Sequence, residues 1–266
     1  MDTTAFDLPR YLDRIGYPVE ARGDLPADAP TLARLMRGQL FSVPFENLDV
    51  QAGRGVSLDP AHIVDKIVGQ RRGGYCYEVN GLFAMALQAL GIRWRFVAAR
   101  PMFYPVRRPR THMAVVATVG GEDWLCDLGF GSYGPRAPLR LSALDQAIDQ
   151  DDDRFMLSRP DGGDYLLQAF CGGQWLRQYG FDLSPQEWVD FEPANHLNST
   201  HPGAIFVQKR VIVRHHEAGR DILLGRQLKT IRQGVVHERE LAPDEVAAVL
   251  ERHFGLPDLA PEALAA

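Results

Sequence analysis

One cysteine stands directly in front of an apolar helical pattern, in the segment Arg-Gly-Gly-Tyr-Cys-Tyr-Glu at residues 72–78. The start of a helix carries a partial positive charge, which favours a thiolate over a thiol at Cys76. Gly73 and Gly74 have no side chains, so a reacting group can approach the backbone closely there. The segment therefore predicts a nucleophile that attacks an activated carbonyl, with N–H groups at the helix start receiving the oxyanion.

A histidine and an aspartate downstream could complete a relay with this cysteine. His112 precedes an apolar run, and Asp127 opens the sequence Asp-Leu-Gly-Phe-Gly. We expect His112 to accept the Cys76 proton, and Asp127 to hold the imidazole in its productive tautomer and stabilise its charged form. Each residue alone also fits an ordinary role, as a buried cysteine, a structural histidine or a turn aspartate. Their combination favours catalysis.

Strand geometry tests whether His112 and Asp127 can meet. If Gly120-Gly121 is a two-residue hairpin turn, Ala114 lies opposite Asp127. Alternation then places His112 and Asp127 on one face as diagonal neighbours, about 7–8 Å apart in the backbone. Cys126 points to the other face and is predicted to be a packing residue. A three-residue loop would reverse this conclusion.

The elements that position these residues change in type along the chain. Apolar residues at helical spacing predict helices over about residues 8–15, from about residue 30 with Asp28 as N-cap, and from Cys76 to Leu90, where Gly91 ends the run. From residue 92, short runs separated by turn residues predict an antiparallel meander or a small barrel. The runs are 94–99, 113–119, 124–128, 155–158, 165–170 and 174–179.

The last part of the chain is less regular. Strands are predicted at about 206–214 and 222–228, and a closing helix at about 243–254, stopped by Gly255 and Pro257. The acidic stretch 145–153 is interpreted as a solvated loop and not as a metal site. Composition shifts near Leu90 and Pro202 indicate subdomains at 1–90, 91–202 and 203–266.

Composition excludes several classes of function. The chain has 266 residues, 45% hydrophobic content and a formal net charge of −5, which gives no electrostatic case for binding nucleic acid or an anionic membrane. The apolar stretch 81–87 is too short to span a bilayer, and the N-terminal residues lack a secretory pattern. Three cysteines do not form a disulfide framework. We expect a soluble, cytoplasmic protein.

The sequence resembles the arylamine N-acetyltransferase family in several short blocks. The matching blocks are residues 11–17 (YLDRIGY), 43–49 (VPFENLD), 72–80 (RGGYCYEVN), 99–100 (AR), 111–112 (TH) and 127–131 (DLGFG), with a weaker match over 195–206. The resemblance implies an α+β fold with a papain-like core: an N-terminal helical bundle (1–90) that carries the nucleophile, an antiparallel β-barrel (91–202) that carries His and Asp, and a C-terminal α/β lid (203–266). It implies Cys76, His112 and Asp127 as the catalytic triad.

The resemblance also implies the reaction and its substrates. Acetyl-coenzyme A would acetylate Cys76, and an arylamine or arylhydrazine would then take the acetyl group in a ping-pong reaction of xenobiotic metabolism, without a metal. Phe45 and Phe130 would line the acceptor pocket, with Phe206 as a third candidate. The remaining expected substrate-binding residues are Thr111, Gly129 and Gly131.

Two sets of charged residues near the site receive other interpretations. Arg72 and Glu78 are expected to be structural, as an ion pair or a loop anchor. The basic run 107–110 is expected to be a solvated loop, and because the chain has no phosphate-binding glycine motif, the residues that meet the phosphates of coenzyme A stay unassigned.

Other functions stay open at this stage. An amide synthase, a cysteine protease or a transglutaminase would use the same Cys-His-Asp relay, and a relative that only binds small molecules is a further alternative. Zinc bound by Cys76, His112, Cys126 and Asp127 is disfavoured, since the chain has no closely spaced cysteine pair and alternation turns Cys126 away. The physiological acceptor, the preferred acyl chain and the oligomeric state are not predicted.

Overall fold

Helices dominate the first third of the chain and strands dominate the rest. The structure is a computed structural model that describes residues 5–23, 25–131 and 133–256. Its α-helices are α1 (Leu8–Arg14), α2 (Ala29–Ser42), α3 (Leu48–Gln51), α4 (Pro60–Val64), α5 (Cys76–Ala89), α6 (Glu192–Thr200), α7 (Ile205–Gln208) and α8 (Val246–Phe254). A π-helical turn at Asp65–Gly69 follows α4. Among these helices, none has both the length and the apolar character needed to cross a bilayer.

Twelve strands form two antiparallel sheets in the described residues. The strands are β1 (Arg93–Pro101), β2 (His112–Val119), β3 (Glu122–Cys126), β4 (Leu139–Arg140), β5 (Ile148–Gln150), β6 (Asp153–Ser158), β7 (Tyr165–Cys171), β8 (Gln174–Phe181), β9 (Val211–His216), β10 (Gly219–Leu224), β11 (Gln227–Arg232) and β12 (Val235–Glu240). The first sheet has the order β4-β3-β2-β1-β8-β7-β6-β5, and the second has the order β12-β11-β10-β9.

The central helix α5 begins and ends where the sequence predicts. Its first residue is Cys76, and the Glu78 carboxylate accepts a hydrogen bond from the Tyr75 N–H at 3.0 Å, which satisfies a donor at the helix start. Gly91 follows the helix in the left-handed region, at φ +68°. The helix is buried on nearly all sides, because α1 and α4 pack on it from one direction and β1 and β2 from another.

The larger sheet curls around an apolar cluster of its own. Buried side chains from most of its strands form this cluster, including Val97, Val116, Leu125, Phe155 and Leu167. The six strand-like runs predicted between residues 94 and 179 each fall on a strand, and the predicted antiparallel pairing is confirmed, although β1 pairs with β8 and the short strands β4 and β5 were not predicted. The description of this region as a β-barrel subdomain, and the three subdomain boundaries, stay predictions.

The β2–β3 hairpin has the predicted register. Val119 pairs with Glu122 across Gly120 and Gly121, whose φ angles of +60° and +80° match a two-residue turn of type I′. Cys126 pairs with Val115 and is fully buried in the core shared with α5, as expected of a packing residue. The same register leaves the next residue, 127, on the opposite face.

The smaller sheet packs on the closing helix. Ile212, Leu223 and Leu228 are buried against Val249 and Phe254 of α8. The predicted helix at 243–254 is a 3-10 turn at Pro243–Glu245 that continues into α8.

The closing helix ends as predicted, and a backbone bridge joins the smaller sheet to the N-terminal third. Gly255 ends α8 in the left-handed region at φ +65°, as predicted, whereas Pro257 lies outside the described residues. The N–H groups of Phe45 and Val213 donate to each other's carbonyls at 2.8 and 2.9 Å. This bridge fastens the sheet to the N-terminal third.

Two strand predictions in the C-terminal part are correct only in part, and of the predicted strand at 206–214 only the second half falls on β9. Residues 205–207, Ile-Phe-Val, favour a strand by composition, but they form α7, whose carbonyls at Phe206 and Lys209 accept hydrogen bonds from the Asn47 amide. The run 222–228 is two strands, because Gly225 at φ +60° turns the chain between Leu224 and Gln227. Strand β12, which is exposed along its whole length, was not predicted from the sequence.

The acidic stretch 145–153 is not simply a solvated loop. It contains β5, and Asp151 forms ion pairs with Arg37 and with the buried Arg136, each at 2.7 Å. Its carboxylates therefore compensate arginines from distant parts of the chain, which the local sequence does not reveal.

Candidate active site

Cys76 lies on the wall of a cavity of about 510 Å³. The side chain is 3% exposed, and its position at the first residue of α5 directs the helix N-terminus at the sulfur. The loop after β3 passes directly over it, because a Cβ atom on Gly129 would lie only 2.5 Å from the Cys76 Cα. Only glycine allows this close approach, so Gly129 brings the loop against the cysteine.

His112 and Asp127 meet as the strand geometry predicts. The His112 Nε2 and the Asp127 Oδ2 are 2.7 Å apart, and both side chains are buried. The other carboxylate oxygen of Asp127 accepts hydrogen bonds from the Gly129 N–H at 2.9 Å and from the Asn80 amide at 3.1 Å. Burial opposes ionisation, but His112 and these two donors hold the pKa of Asp127 below its usual range.

The imidazole of His112 is held in its charged form. Burial disfavours that form, but the Asp127 carboxylate and the Cys76 side chain, which is a hydrogen-bond partner of the ring, raise the pKa of His112 to about 10. Since Asp127 uses Nε2, the nitrogen available to Cys76 is Nδ1. The structure therefore brings the three predicted residues together in the order sulfur, imidazole, carboxylate.

Asn80 holds this arrangement together, and sequence analysis did not single it out. Its amide donates to the Met113 carbonyl at 2.7 Å and to Asp127, and its carbonyl accepts from the Leu128 N–H at 2.9 Å. Asn80 follows Cys76 by four residues, so both lie on one face of α5. A polar residue one turn after the cysteine on a buried helix was the signal that could have identified it.

Tyr179 of β8 is a second residue that sequence analysis missed. Its ring lies 5.1 Å from His112 and 4.7 Å from Phe130 between centroids, and its hydroxyl is buried beside Asp127. Burial and the negative charge of Asp127 raise the pKa of Tyr179. Nothing in the local sequence sets Tyr179 apart from other strand residues.

All six expected substrate-binding residues line the cavity with Cys76 and His112: Phe45, Thr111, Gly129, Phe130, Gly131 and Phe206. The Phe130 ring lies 5.0 Å from the His112 ring, and the Phe45 and Phe206 rings lie 5.8 Å apart. Gly131 has φ +88°, and no atom of the described residues lies within 4 Å of a Cβ placed there, so glycine is needed for the backbone conformation rather than for space. The placement agrees with the expected pocket, and the roles of these residues stay predictions.

Further parts of the cavity wall come from elements that sequence analysis did not connect with the site. The loop 102–111 between β1 and β2 contributes Phe103, Tyr104 and Arg108, and α6 contributes Leu197 and Asn198. The Asn198 amide donates to the Thr111 carbonyl at 3.1 Å, next to His112. These contacts are long-range, and the local sequence carries no mark of them.

A second group of buried charges lies on the other side of the α5 start. Lys66 is 2.6 Å from both Asp49 and Glu78, and Arg72 is 2.7 Å from Glu46. Arg72 and Glu78 thus each form an ion pair, but with different partners rather than with each other. We call these five residues the ion-pair cluster. Within the described residues, no group of three or more His, Cys, Asp or Glu side chains could hold a metal ion.

Comparison with known proteins identifies the sequence family. A family model described as N-acetyltransferase matches residues 28–260. The chain is 33% identical over 240 residues to an arylamine N-acetyltransferase / N-hydroxyarylamine O-acetyltransferase of Salmonella typhimurium, covering 87% of this chain and 84% of that protein. It is 35% identical over 262 residues to the arylamine N-acetyltransferase of Mycobacterium tuberculosis, covering 95% of this chain and 90% of that protein.

Solved structures that resemble this chain are also arylamine N-acetyltransferases. The arylamine N-acetyltransferase of Mycobacterium abscessus superposes with a TM-score of 0.90 at 32% identity, covering 98% of this chain and 93% of that chain. The Mycobacterium marinum arylamine N-acetyltransferase in complex with CoA superposes with a TM-score of 0.87 at 32% identity, covering 94% of this chain and 92% of that chain. This chain therefore belongs to the arylamine N-acetyltransferase family and is an acyltransferase.

Proposed function

We propose that this protein transfers an acetyl group from acetyl-coenzyme A to arylamines or arylhydrazines through an acetyl-Cys76 intermediate. The observation that carries the proposal is the position of Cys76 on the cavity wall, at a helix N-terminus and beside a His112–Asp127 pair. A solved relative from Mycobacterium marinum binds CoA, which supports coenzyme A as the donor.

In the first half-reaction, the Cys76 thiolate attacks the thioester carbonyl carbon of acetyl-coenzyme A. The bond between that carbon and the coenzyme A sulfur breaks, and the His112 imidazolium protonates the leaving thiolate. A thioester exchanges for a thioester, so the step is nearly isoenergetic. The raised pKa of His112 supports this role, because the imidazolium is the dominant form at neutral pH.

In the second half-reaction, the amine nitrogen attacks the acetyl carbon on Cys76. The neutral His112 takes the amine proton, the carbon–sulfur bond breaks, and the thiolate–imidazolium pair returns. Asp127 keeps the imidazole oriented through both steps, which fits its three hydrogen-bond donors.

Both steps place negative charge on the carbonyl oxygen. The first N–H groups of α5 lack partners within the helix and lie beside the sulfur, so they are the proposed oxyanion donors. Gly129 lets the loop after β3 lie against the start of α5, because a side chain there would clash with the Cys76 Cα and Cβ. One such donor contributes about 2.7–4 kcal/mol to lowering the barrier.

The cavity suits an aromatic acceptor. Phe45, Phe130 and Phe206 present ring faces and edges to it, and such surfaces bind aromatic amines by stacking and apolar burial. Val213 and Ile222 of the smaller sheet also line it, which supports the proposal that residues 203–266 act as a lid on a papain-like core.

We also propose a cytoplasmic location and a role in xenobiotic metabolism. All three cysteines are free thiols, and a reducing compartment keeps such a nucleophile available. The breadth of an apolar pocket with few polar contacts suits varied aromatic amines rather than one metabolite.

Intact-protein mass spectrometry tests the central step. Incubation with acetyl-coenzyme A should add the mass of one acetyl group, peptide mapping should place it on Cys76, and Cys76→Ser should stay unmodified. Addition of an arylamine should then remove the adduct and yield the acetylated amine. No adduct on the native protein, or an adduct that persists in Cys76→Ser, would reject the proposal, and peptide cleavage without an adduct would favour a protease.

A further inference from the structure

A buried histidine of the smaller sheet has no part in the proposed mechanism. His215 lies in β9 and is 4% exposed, and its Nε2 is 3.1 Å from the carbonyl oxygen of Gly131. Because a carbonyl only accepts, Nε2 carries the proton and Nδ1 is left as an acceptor, which is buried without a hydrogen-bond partner among the described residues. A buried polar atom without a partner is costly, so the one hydrogen bond that this ring makes calls for an explanation.

The surroundings of His215 keep its ring neutral. Burial disfavours the charged form and the guanidinium groups of Arg220 and Arg136 disfavour it further, so the pKa of His215 falls to about 3. Both arginines have carboxylate partners of their own, since Arg220 lies 2.5 Å from Asp153 and Arg136 lies 2.7 Å from Asp151. His215 is therefore a neutral hydrogen-bond donor with one fixed tautomer at physiological pH.

Strand alternation places His215 on the face of the smaller sheet that covers the cavity. Two apolar pairs on this face line the cavity, namely Val211 with Leu224 and Val213 with Ile222. The next pair on the same face is His215 with Arg220, and it is polar. Both of its members contact the segment after β3, because His215 donates to Gly131 and the Arg220 guanidinium lies 4.9 Å from the centroid of the Tyr133 ring. The smaller sheet thus holds this segment with a dedicated polar pair.

The loop after β3 has separate anchors at its two ends. Near its start, Asp127 accepts hydrogen bonds from the Asn80 amide at 3.1 Å and from the Gly129 N–H at 2.9 Å. Further along, the Gly131 carbonyl is held by His215. Loss of the second anchor leaves the hydrogen bonds of Asp127 in place. A change at His215 should therefore move the later part of the loop without moving the proposed triad.

The residue that precedes Gly131 is Phe130, whose ring lines the cavity and lies 5.0 Å from the His112 ring between centroids. We propose that His215 is a positioning residue for the acceptor half-reaction: by holding Gly131, it keeps the Phe130 ring where an aromatic amine packs against it. The inference rests on the proposed function, since it adds a residue to the same site. It predicts an effect on aromatic acceptors alone, because acetylation of Cys76 and attack by a nucleophile without a ring do not use the Phe130 face.

Single-turnover kinetics on the acetylated enzyme test this selectivity with 4-methoxyaniline and with hydrazine, a nucleophile that has no aromatic ring. His215→Leu replaces the donor by an apolar side chain of similar size. Deacetylation by 4-methoxyaniline should slow about three- to tenfold, the range expected for one hydrogen bond, while deacetylation by hydrazine and acetylation by acetyl-coenzyme A should change by less than about twofold. His215→Gln, whose amide N–H can reach the Gly131 carbonyl, should recover part of the 4-methoxyaniline rate.

His216→Leu is the matched control. The His216 ring lies on the opposite face of β9 because side chains alternate along a strand. Its carbonyl accepts a hydrogen bond from Arg136 at 2.6 Å, and this backbone group stays in the variant. The same substitution at this position should leave the ratio of the two deacetylation rates unchanged.

Three results would overturn the proposal. Equal losses for 4-methoxyaniline and hydrazine in His215→Leu would mean that the histidine supports the whole loop or the smaller sheet rather than the Phe130 ring. An unchanged rate with 4-methoxyaniline would mean that the hydrogen bond does not position the ring. The same fall in the ratio for His216→Leu would assign the effect to the smaller sheet in general.

A binding measurement keeps this test separate from the proposed function. Calorimetry on Cys76→Ser should show 4-methoxyaniline binding about three- to tenfold more weakly once His215→Leu is added. Equal affinities would reject the role of His215 even in an active enzyme. A native protein that forms no acetyl adduct would reject the proposed function, while the calorimetry would still report on His215.

Discussion

Two buried groups of charges lie at the start of α5, and they differ in what they face. In the ion-pair cluster, Lys66 and Arg72 are matched by Glu46, Asp49 and Glu78 at distances of 2.6–2.7 Å. On the other side, His112 and Asp127 pair at 2.7 Å, but the third member is a sulfur on the wall of an apolar cavity. In the first group every charged side chain has an oppositely charged partner within the group, whereas the second group has a reactive atom directed at a ligand.

The difference shows that burial and altered pKa values do not identify a catalytic site by themselves. Burial raises the pKa of Glu78 to about 7, which would suit a general acid or base, yet this carboxyl pairs with Lys66 and accepts from the Tyr75 N–H. What distinguishes the proposed triad is a nucleophile that borders the space where a substrate fits. We therefore expect substitutions in the proposed triad to change activity, and substitutions in the ion-pair cluster to change stability.

The largest effect is expected for Asp127→Asn. The amide cannot stabilise the imidazolium, and the raised pKa of His112 depends on the Asp127 charge, so kcat/KM for acetyl transfer should fall about 10³–10⁴-fold. Steady-state kinetics and the rate of Cys76 alkylation by iodoacetamide measure the loss. Asp123→Asn, in the same hairpin but paired with Arg95, is the control and should keep near-native activity. Equal activity in both variants would remove Asp127 from the mechanism.

The second effect is on stability, for Lys66→Met. The substitution leaves Asp49 and Glu78 without their shared cation, and breaking a buried pair costs about 3–5 kcal/mol. Because Lys66 is partly accessible, we expect the lower end, about 3 kcal/mol in urea unfolding, with kcat/KM of the folded fraction little changed. Adding Glu78→Gln to Lys66→Met should recover part of the lost unfolding free energy, because it removes a carboxylate that Lys66→Met leaves without its cation.

A surface pair provides the control for that experiment. Lys229 and Glu238 lie 3.0 Å apart on the smaller sheet, and both are substantially exposed. Lys229→Met should therefore cost less than about 1 kcal/mol. If Lys66→Met were no more destabilising than Lys229→Met, or if it removed activity without loss of stability, the assignment of the cluster to stability would be wrong.

Glu78 should give the ion-pair cluster a pH dependence whose sign follows from the raised pKa of its carboxyl. Its pKa rises from 4.5 to about 7 on folding, chiefly through burial, so between these values the folded state holds a proton that the unfolded state releases. Its contribution to stability is thus full below about pH 4.5 and is lost as the pH rises through about 7. The difference in unfolding free energy between the native protein and Glu78→Gln should fall over this interval by on the order of 3 kcal/mol. A difference that grows with pH would show that Lys66 keeps Glu78 ionised.

Much of the site could be predicted from the sequence because its signals are local. The Gly-Gly before Cys76, the capping residue Glu78 and the turn at Gly120-Gly121 fix the helix start and the hairpin register, and these place His112 and Asp127 on one face. The ends of α5 and six of the eight strands between residues 93 and 181 follow from the same short-range patterns.

The parts that were missed depend on contacts between distant segments. Asn47 holds residues 205–208 as a helix although their composition favours a strand, and Arg37 and Arg136 compensate Asp151 in a stretch that appears merely acidic. Tyr179 lies beside Asp127 only because β8 pairs with β1. No local pattern encodes such pairings, so they require the fold itself.

The smallest effects are expected at two glycines of the loop that covers Cys76, and they separate catalysis from stability within one segment. In Gly129→Ala the new methyl would lie 2.5 Å from the Cys76 Cα, so the loop must move away from the sulfur, at a cost of about 1–3 kcal/mol and with slower acetylation of Cys76. In Gly131→Ala none of the described residues obstructs the methyl, and the φ of +88° alone costs about 1–2 kcal/mol. Urea unfolding and the acetylation rate should therefore show similar destabilisation but a slow nucleophile in Gly129→Ala only. Equally slow acetylation in both variants would mean that the turn as a whole, rather than the close approach at Gly129, positions the reacting atoms.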